Sequence, residues 1–138
     1  MNGYKIHNGK ENVRTKSTFH FDEGISSSFD LPSIIADLKN DKTWIEGELN
    51  SVILLNSSTI KVLLTILHEG TEVISYQAND SITFQVLEGS LVLHIKEESI
   101  VLNEGELLTL DEKIKYSFDT VEETAFLMTL VSGKEQGT

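Results

Sequence analysis

The strongest constraint on how this chain can fold is a rhythm of short apolar runs separated by turn-forming residues, which occupies everything after Trp44. The runs span residues 51–55, 59–67, 72–77, 82–87, 91–96, 99–102, 107–110, 114–118 and 125–131, and they are rich in Val, Ile, Leu, Thr and Phe. Between them fall Asn56-Ser57-Ser58, Glu69-Gly70, Asn79-Asp80, Glu88-Gly89, Glu97-Glu98, Asn103-Glu104-Gly105 and Asp111-Glu112. Branched and aromatic side chains suit a pleated, half-buried surface, whereas Gly, Asn, Asp and Ser supply turn conformations. Nine such runs at this spacing predict an antiparallel sandwich or barrel. No helical pattern intervenes among them, which argues against a parallel α/β sheet.

Two runs say more. In residues 81–86, Ile82, Phe84 and Val86 alternate with Ser81, Thr83 and Gln85, so one face of that strand is buried and the other is wetter. Residues 59–67 are apolar at both parities (Val62, Leu63, Leu64, Ile66, Leu67), which predicts burial on both faces, under a helix or a partner.

Upstream lies one helix signal. Asp30 is a capping residue type, Pro32 suits a first turn, and Ile34, Ile35 and Leu38 recur at helical spacing until Asn40-Asp41 ends the segment. Trp44, the single tryptophan, is expected to pack this helix against the barrel wall. Residues 1–28 are polar with sparse apolar positions and are read as an N-terminal tail, partly disordered, although Phe19-His20-Phe21 has the character of an edge strand. The expected organisation is a tail over 1–28, one barrel domain over 29–133 and a C-terminal tail over 134–138.

Composition removes several classes of function. Cysteine is absent, which excludes disulfides, thiolate metal sites and cysteine nucleophiles, and agrees with a cytoplasmic location. Residues 1–25 hold no apolar core of a secretory signal, and residues 60–67 are too short to span a bilayer. The net charge is −11, with Lys5, Lys10, Arg14 and Lys16 concentrated at the basic N-terminus. An acidic body lacks the basic footprint of a nucleic-acid binder and is repelled by anionic membranes. No phosphate-binding loop, dinucleotide fingerprint or nucleophile elbow is present. The paired acids Glu97-Glu98, Asp111-Glu112 and Glu122-Glu123 fall in turns and read as solvated.

The segment from Gly70 to Gly89, GTEVISYQANDSITFQVLEG, resembles the first conserved motif of the cupins, G-x5-H-x-H-x3-E-x6-G. Both glycines and the span between them match, and Phe84-Gln85-Val86-Leu87-Glu88-Gly89 resembles the family's hairpin sequence. Leu102-Asn103-Glu104-Gly105-Glu106 resembles the turn that opens the second motif, G-x5-P-x-G-x2-H-x3-N. The resemblance implies an all-β, double-stranded β-helix (cupin, or jelly-roll) barrel with one short N-terminal helix, and a homodimer.

Carried over position by position, the family's metal ligands are missing. The two histidines of the first motif fall on Tyr76 and Ala78, the glutamate on Ile82 and the histidine of the second motif on Tyr116; the second motif's proline and glycine fall on Asp111 and Lys113. Alanine and isoleucine offer no donor atom, and a phenol with a pKa near 10 is a poor ligand at neutral pH. A catalytic Fe, Mn or Zn site needs about three His or carboxylate ligands. The expectation is therefore no metal and no cofactor. Tyr76, Ala78, Ile82, Phe84, Val86 and Tyr116 would line an apolar interior carrying two phenols, suited to a small organic ligand; the alternative is that these side chains simply fill the barrel.

Three functions follow. The first is a metal-free binder or sensor of a small molecule. The second is a cupin-type isomerase, epimerase or dioxygenase that uses displaced ligands (His20 and Asp22, which form an H-x-D pair, with His94) or metal-free acid–base work by Tyr116 or His94. The third is a structural or interaction barrel. His94, between Leu93 and Ile95, either faces solvent or makes a hydrogen bond inside, and His68 sits at a turn.

Overall fold

A computed structural model describes residues 15–21, 24–74 and 80–133, with side chains from residue 26 onward. The elements run β1 (Thr15–Phe21), β2 (Gly24–Phe29), α1 (Leu31–Lys39), α2 (Lys42–Glu46), β3 (Leu49–Asn56), β4 (Ile60–Leu67), β5 (Glu72–Ile74), β6 (Asp80–Glu88), β7 (Ser90–Ile95), β8 (Glu98–Asn103), β9 (Leu107–Leu110), β10 (Tyr116–Asp119) and β11 (Thr124–Ser132). Each of the nine apolar runs overlaps one of the strands β3 to β11.

These strands make two antiparallel sheets, five-stranded β3-β4-β11-β6-β9 and four-stranded β5-β10-β7-β8. From β5 to β11 the chain passes back and forth between the sheets, which is the jelly-roll path. The inner faces meet in one core. Leu63, Leu67, Phe84, Val86, Phe126 and Met128 of the larger sheet pack on Val73, Leu91, Leu93, Leu102, Tyr116 and Phe118 of the smaller. Each fully buried side chain of this size stabilises the fold by about 1.5–3 kcal/mol.

The helices cover the other face of the larger sheet. Ile34, Ile35, Leu38 and Trp44 pack on Val52, Leu64, Ile66 and Ala125. This explains the double-sided apolar pattern of β4: Leu63 and Leu67 face the barrel interior, Leu64 and Ile66 face the helices, and no partner copy is needed to account for it. Asp30 caps α1 through Ser33, whose N–H and Oγ donate to its carboxylate at 3.3 and 2.9 Å. The sequence pattern ends the helical region at Asn40-Asp41; the structure adds the single turn α2, for which Asp41 is itself the cap, accepting from the Thr43 N–H at 3.4 Å. Asn50 on β3, fully buried, ties the two helices down by donating to the Leu38 carbonyl at 3.2 Å and to Asp41 at 3.4 Å. Lys39 pairs with Glu123 and Glu88 across the sheet edge at 2.6 and 3.4 Å.

Within the polar N-terminal segment, residues 15–21 and 24–29 are ordered into strands, Phe19-His20-Phe21 among them. β1 and β2 form an antiparallel ribbon with His20 opposite Ile25 and Phe19 opposite Ser26, a sheet of its own that joins neither barrel sheet. Threonines and phenylalanines interleaved with serines give this segment strand propensity that its low mean apolarity conceals. No helix among the described residues is long and apolar enough to cross a membrane.

Candidate functional site

Three connections gather at one end of the sandwich. β5 ends there at Ile74, β9 ends at Leu110 before the 111–115 connection to Tyr116, and β7 turns into β8 at Lys96-Glu97. The pairing of Tyr116 with Ile95 and of Ser117 with Ile74 fixes this arrangement. Ile82 lies at the same end, opposite Leu110 and Leu130.

Four of the six residues assigned to the interior lining are described, and all four are in the inner core. Tyr116 is 3% exposed and Ile82 also 3%, while Phe84 and Val86 are completely buried. The Phe84 ring stands 5.5 Å from Tyr116 and 5.6 Å from Phe118, edge-on to both, and Phe118 is edge-on to Phe126 at 5.5 Å. These separations lie within the favourable range for aromatic pairs. Tyr116, Ile82 and Phe84 thus form the layer at the open end. Val86, beside Phe126, lies deeper, toward Gly89. Tyr76 and Ala78 lie outside the described residues.

At the two of the family's metal positions that are described, the side chains present do not fit a metal. Ile82, in the glutamate's place, is wedged between Leu110 and Leu130, and Tyr116, in the histidine's place, packs its ring on Phe84. Among the described residues no group of three His, Asp or Glu side chains could hold an ion. Of the proposed displaced set, Asp22 lies outside the described residues and His20 stands on the separate β1–β2 ribbon. His94 points away from the core, on the outer face of the smaller sheet, and both of its ring nitrogens are engaged: Nδ1 with Ser99 Oγ and Nε2 with Asp119 Oδ2, each at 2.9 Å. His68 follows β4 and stacks on Trp44 at 3.4 Å, with its Nε2 at 2.8 Å from the Trp44 carbonyl, locking α2 to the barrel.

Two clefts flank this end. One, of about 540 Å³, lies between the β7–β8 turn and the 111–115 connection; Ile95, Ile100 and Ile114 form its walls, with Lys96, Glu97 and Glu98 at the rim. The other, of about 570 Å³, lies against the outer face and is lined by Ile74, His94, Ser117 and Tyr116 together with Lys96, Lys113, Ile114 and Lys115. Sequence reasoning missed the lysines and the isoleucine walls. A signal existed for Lys113: it occupies the family's second glycine position and adopts φ 69°, the left-handed backbone that explains the glycine. Lys96 does the same at φ 58°. Such a conformation is uncommon for a side chain like lysine.

The sheet order, the strand path and the motif glycines define a jelly-roll barrel of the double-stranded β-helix type. More particularly, the chain has the fold of the cupin superfamily. It aligns with a cupin superfamily protein from Desulfitobacterium hafniense at 16% identity and TM-score 0.61, over 63% of this chain and 80% of that one. It aligns with the cupin domain of an XRE-family transcriptional regulator from Enterobacter cloacae at 14% identity and TM-score 0.56, over 61% and 96%. The salicylate 1,2-dioxygenase of Pseudaminobacter salicylatoxidans matches at 18% identity and TM-score 0.57, over 61% of this chain and 26% of that one. No family model and no curated protein sequence matches the chain.

Proposed function

We propose that this protein is a metal-independent cupin that binds or senses a small organic molecule at the end of its barrel. Tyr116 would orient the ligand with its phenol, while Ile82 and Phe84 shape the floor and Val86 supports them from below. Tyr76 and Ala78 share the assignment through their places in the motif. The observation that carries this reading is the replacement of a ligating carboxylate by Ile82, buried in the inner core with Tyr116 at the barrel end where a cleft of about 540 Å³ is walled by Ile95, Ile100 and Ile114. A volume of that order, apolar with few polar groups, is what small-molecule sites use. The neighbouring folds serve both a regulator and a dioxygenase, so the reading rests on the site and not on the fold.

The test is a small-molecule screen by ligand-observed NMR, run in parallel on the Tyr116→Phe variant and with elemental analysis of the same preparation. Bound compounds should lose affinity several-fold in Tyr116→Phe while the melting curve stays nearly in place. Unchanged binding, or stoichiometric Fe, Mn, Ni or Zn held by the chain, would overturn the assignment.

A second reading, a filled barrel whose surface is the functional part, is favoured by the complete burial of Phe84, Phe118, Phe126 and Met128. Under either reading we assign the protein to the cytoplasm as a homodimer. Leu55, Ile60 and Val131, exposed at neighbouring strand ends of the larger sheet, support self-association, and sedimentation would measure it.

A further inference from the structure

We infer that the outer-face groove beside His94 is a second binding site, outside the barrel interior, and that its ligand is a small organic anion with an apolar body. The cations of residues 26–133 are Lys39, Lys42, Lys61, Lys96, Lys113 and Lys115, and the last three all line this one groove. They do so in a chain whose net charge is −11, so half of the described lysines gather in one groove of an acidic molecule. Among the described residues Lys39 alone of the six is ion-paired, with two glutamates within 3.4 Å. Among the described residues, Lys96, Lys113 and Lys115 have no ion-pair partner.

The placement is built by the fold. Lys96 closes the β7–β8 turn, Lys113 and Lys115 sit on the connection into β10, and the Tyr116–Ile95 pairing draws the two turns together. Lys96 and Lys113 hold left-handed backbone conformations that orient them at the turn tips. Between them the sheet supplies a row of three in register, Ile74, Ser117 and His94. Ile74, more than half exposed, and Ile114 give apolar walls; the Ser117 hydroxyl and the ammonium groups give donors for a carboxylate or phosphate. Asp119, on the same face of the sheet, is turned onto His94 at 2.9 Å, which holds the imidazole in place and occupies that carboxylate. At about 570 Å³ the groove has the size of a metabolite and not of a polymer.

The probes are benzoate and phenyl phosphate, with benzyl alcohol as the neutral control, titrated into the full chain and followed by amide NMR and calorimetry. Both anions should bind, shifting the amides of His94, Lys115 and Ser117, and should weaken as salt is raised; benzyl alcohol should not bind there. Lys113→Gly, which suits the left-handed backbone, combined with Lys115→Gln should weaken the anions by about tenfold or more without lowering the melting temperature, since hydrogen bonds to charged groups carry that much. Phe84→Leu, altering the floor of the barrel end but no residue that lines the groove, should leave anion affinity unchanged, which separates this site from the barrel-end reading. Equal binding of benzoate and benzyl alcohol, undiminished affinity in the lysine variant, or no binding of either anion at roughly millimolar affinity, the weak end of specific recognition, would each overturn the inference.

Discussion

Replacing Phe84 by alanine asks directly whether the barrel interior is packed. The ring is completely buried and touches three other aromatic rings, those of Tyr116, Phe118 and Phe126, at 5.5, 5.6 and 6.0 Å. Truncation of a buried phenylalanine costs about 3–5 kcal/mol, and the loss of three aromatic neighbours places this site in the upper half of that range. A chain of 138 residues has an unfolding entropy near its midpoint of about 0.3 kcal/mol/K, so a loss of about 4 kcal/mol lowers Tm by roughly 14 °C. Urea titration should show the same loss as a fall in midpoint at constant slope, because the native surface is unchanged. Phe84→Leu, which keeps most of the volume, should cost under about 2 kcal/mol. A loss below about 1 kcal/mol for Phe84→Ala would refute the reasoning. It would mean that the ring stands in an open chamber and that little depends on its contacts.

Four further outcomes follow from particular geometries. Gly89→Ala should cost more than about 2 kcal/mol in urea titration, because φ is 82° and a Cβ would overlap the Glu123 carbonyl oxygen; Lys113→Gly should be nearly neutral, the relief of a left-handed lysine offsetting the freer unfolded chain. Asn50→Leu should cost about 1–3 kcal/mol, since it strips the Leu38 carbonyl of a buried donor at the end of α1, and hydrogen exchange should speed first in the two helices. The Lys39 ammonium is held above its usual 10.5, chiefly by its hydrogen bond to Glu123, against a smaller opposing effect of burial. A raised folded pKa contributes stability that is fully present below 10.5 and lost as pH climbs through the folded value. Lys39→Met should therefore be less stable than the parent by up to about 1 kcal/mol at pH 7, with the gap closing in strongly alkaline melts.

What could be read from the sequence, and what could not, divides along the distance over which each feature is specified. The strands are local: alternation such as Ile82, Phe84, Val86 names its own buried face, and all three are core residues. The helix α1 announced itself through Asp30 and Pro32. Of the ribbon β1–β2 only the Phe19-His20-Phe21 stretch was legible, because the serines of β2 carry no apolar alternation, only propensity. The one-turn helix α2 escaped because five residues cannot show a period. Motif spacing carried the reading further, to Ile82 and Tyr116 at positions where a metal would need donors, since glycine turns fix which side chains face inward. The lysine groove belongs to a different order of information. Lys96 and Lys115 are strangers in the sequence and become neighbours only because Tyr116 pairs with Ile95 and Ser117 with His94, a register that strand patterns alone leave open. Charge on the outer face of a sheet is free to vary without affecting folding, so no periodicity records it. The same freedom makes the cluster informative: packing does not require three unpaired lysines at one end of an acidic barrel, and a surface that avoided them would lose no core contact. Their convergence is therefore explained by something outside the chain that carries negative charge, and the barrel supplies the fixed register that brings them together.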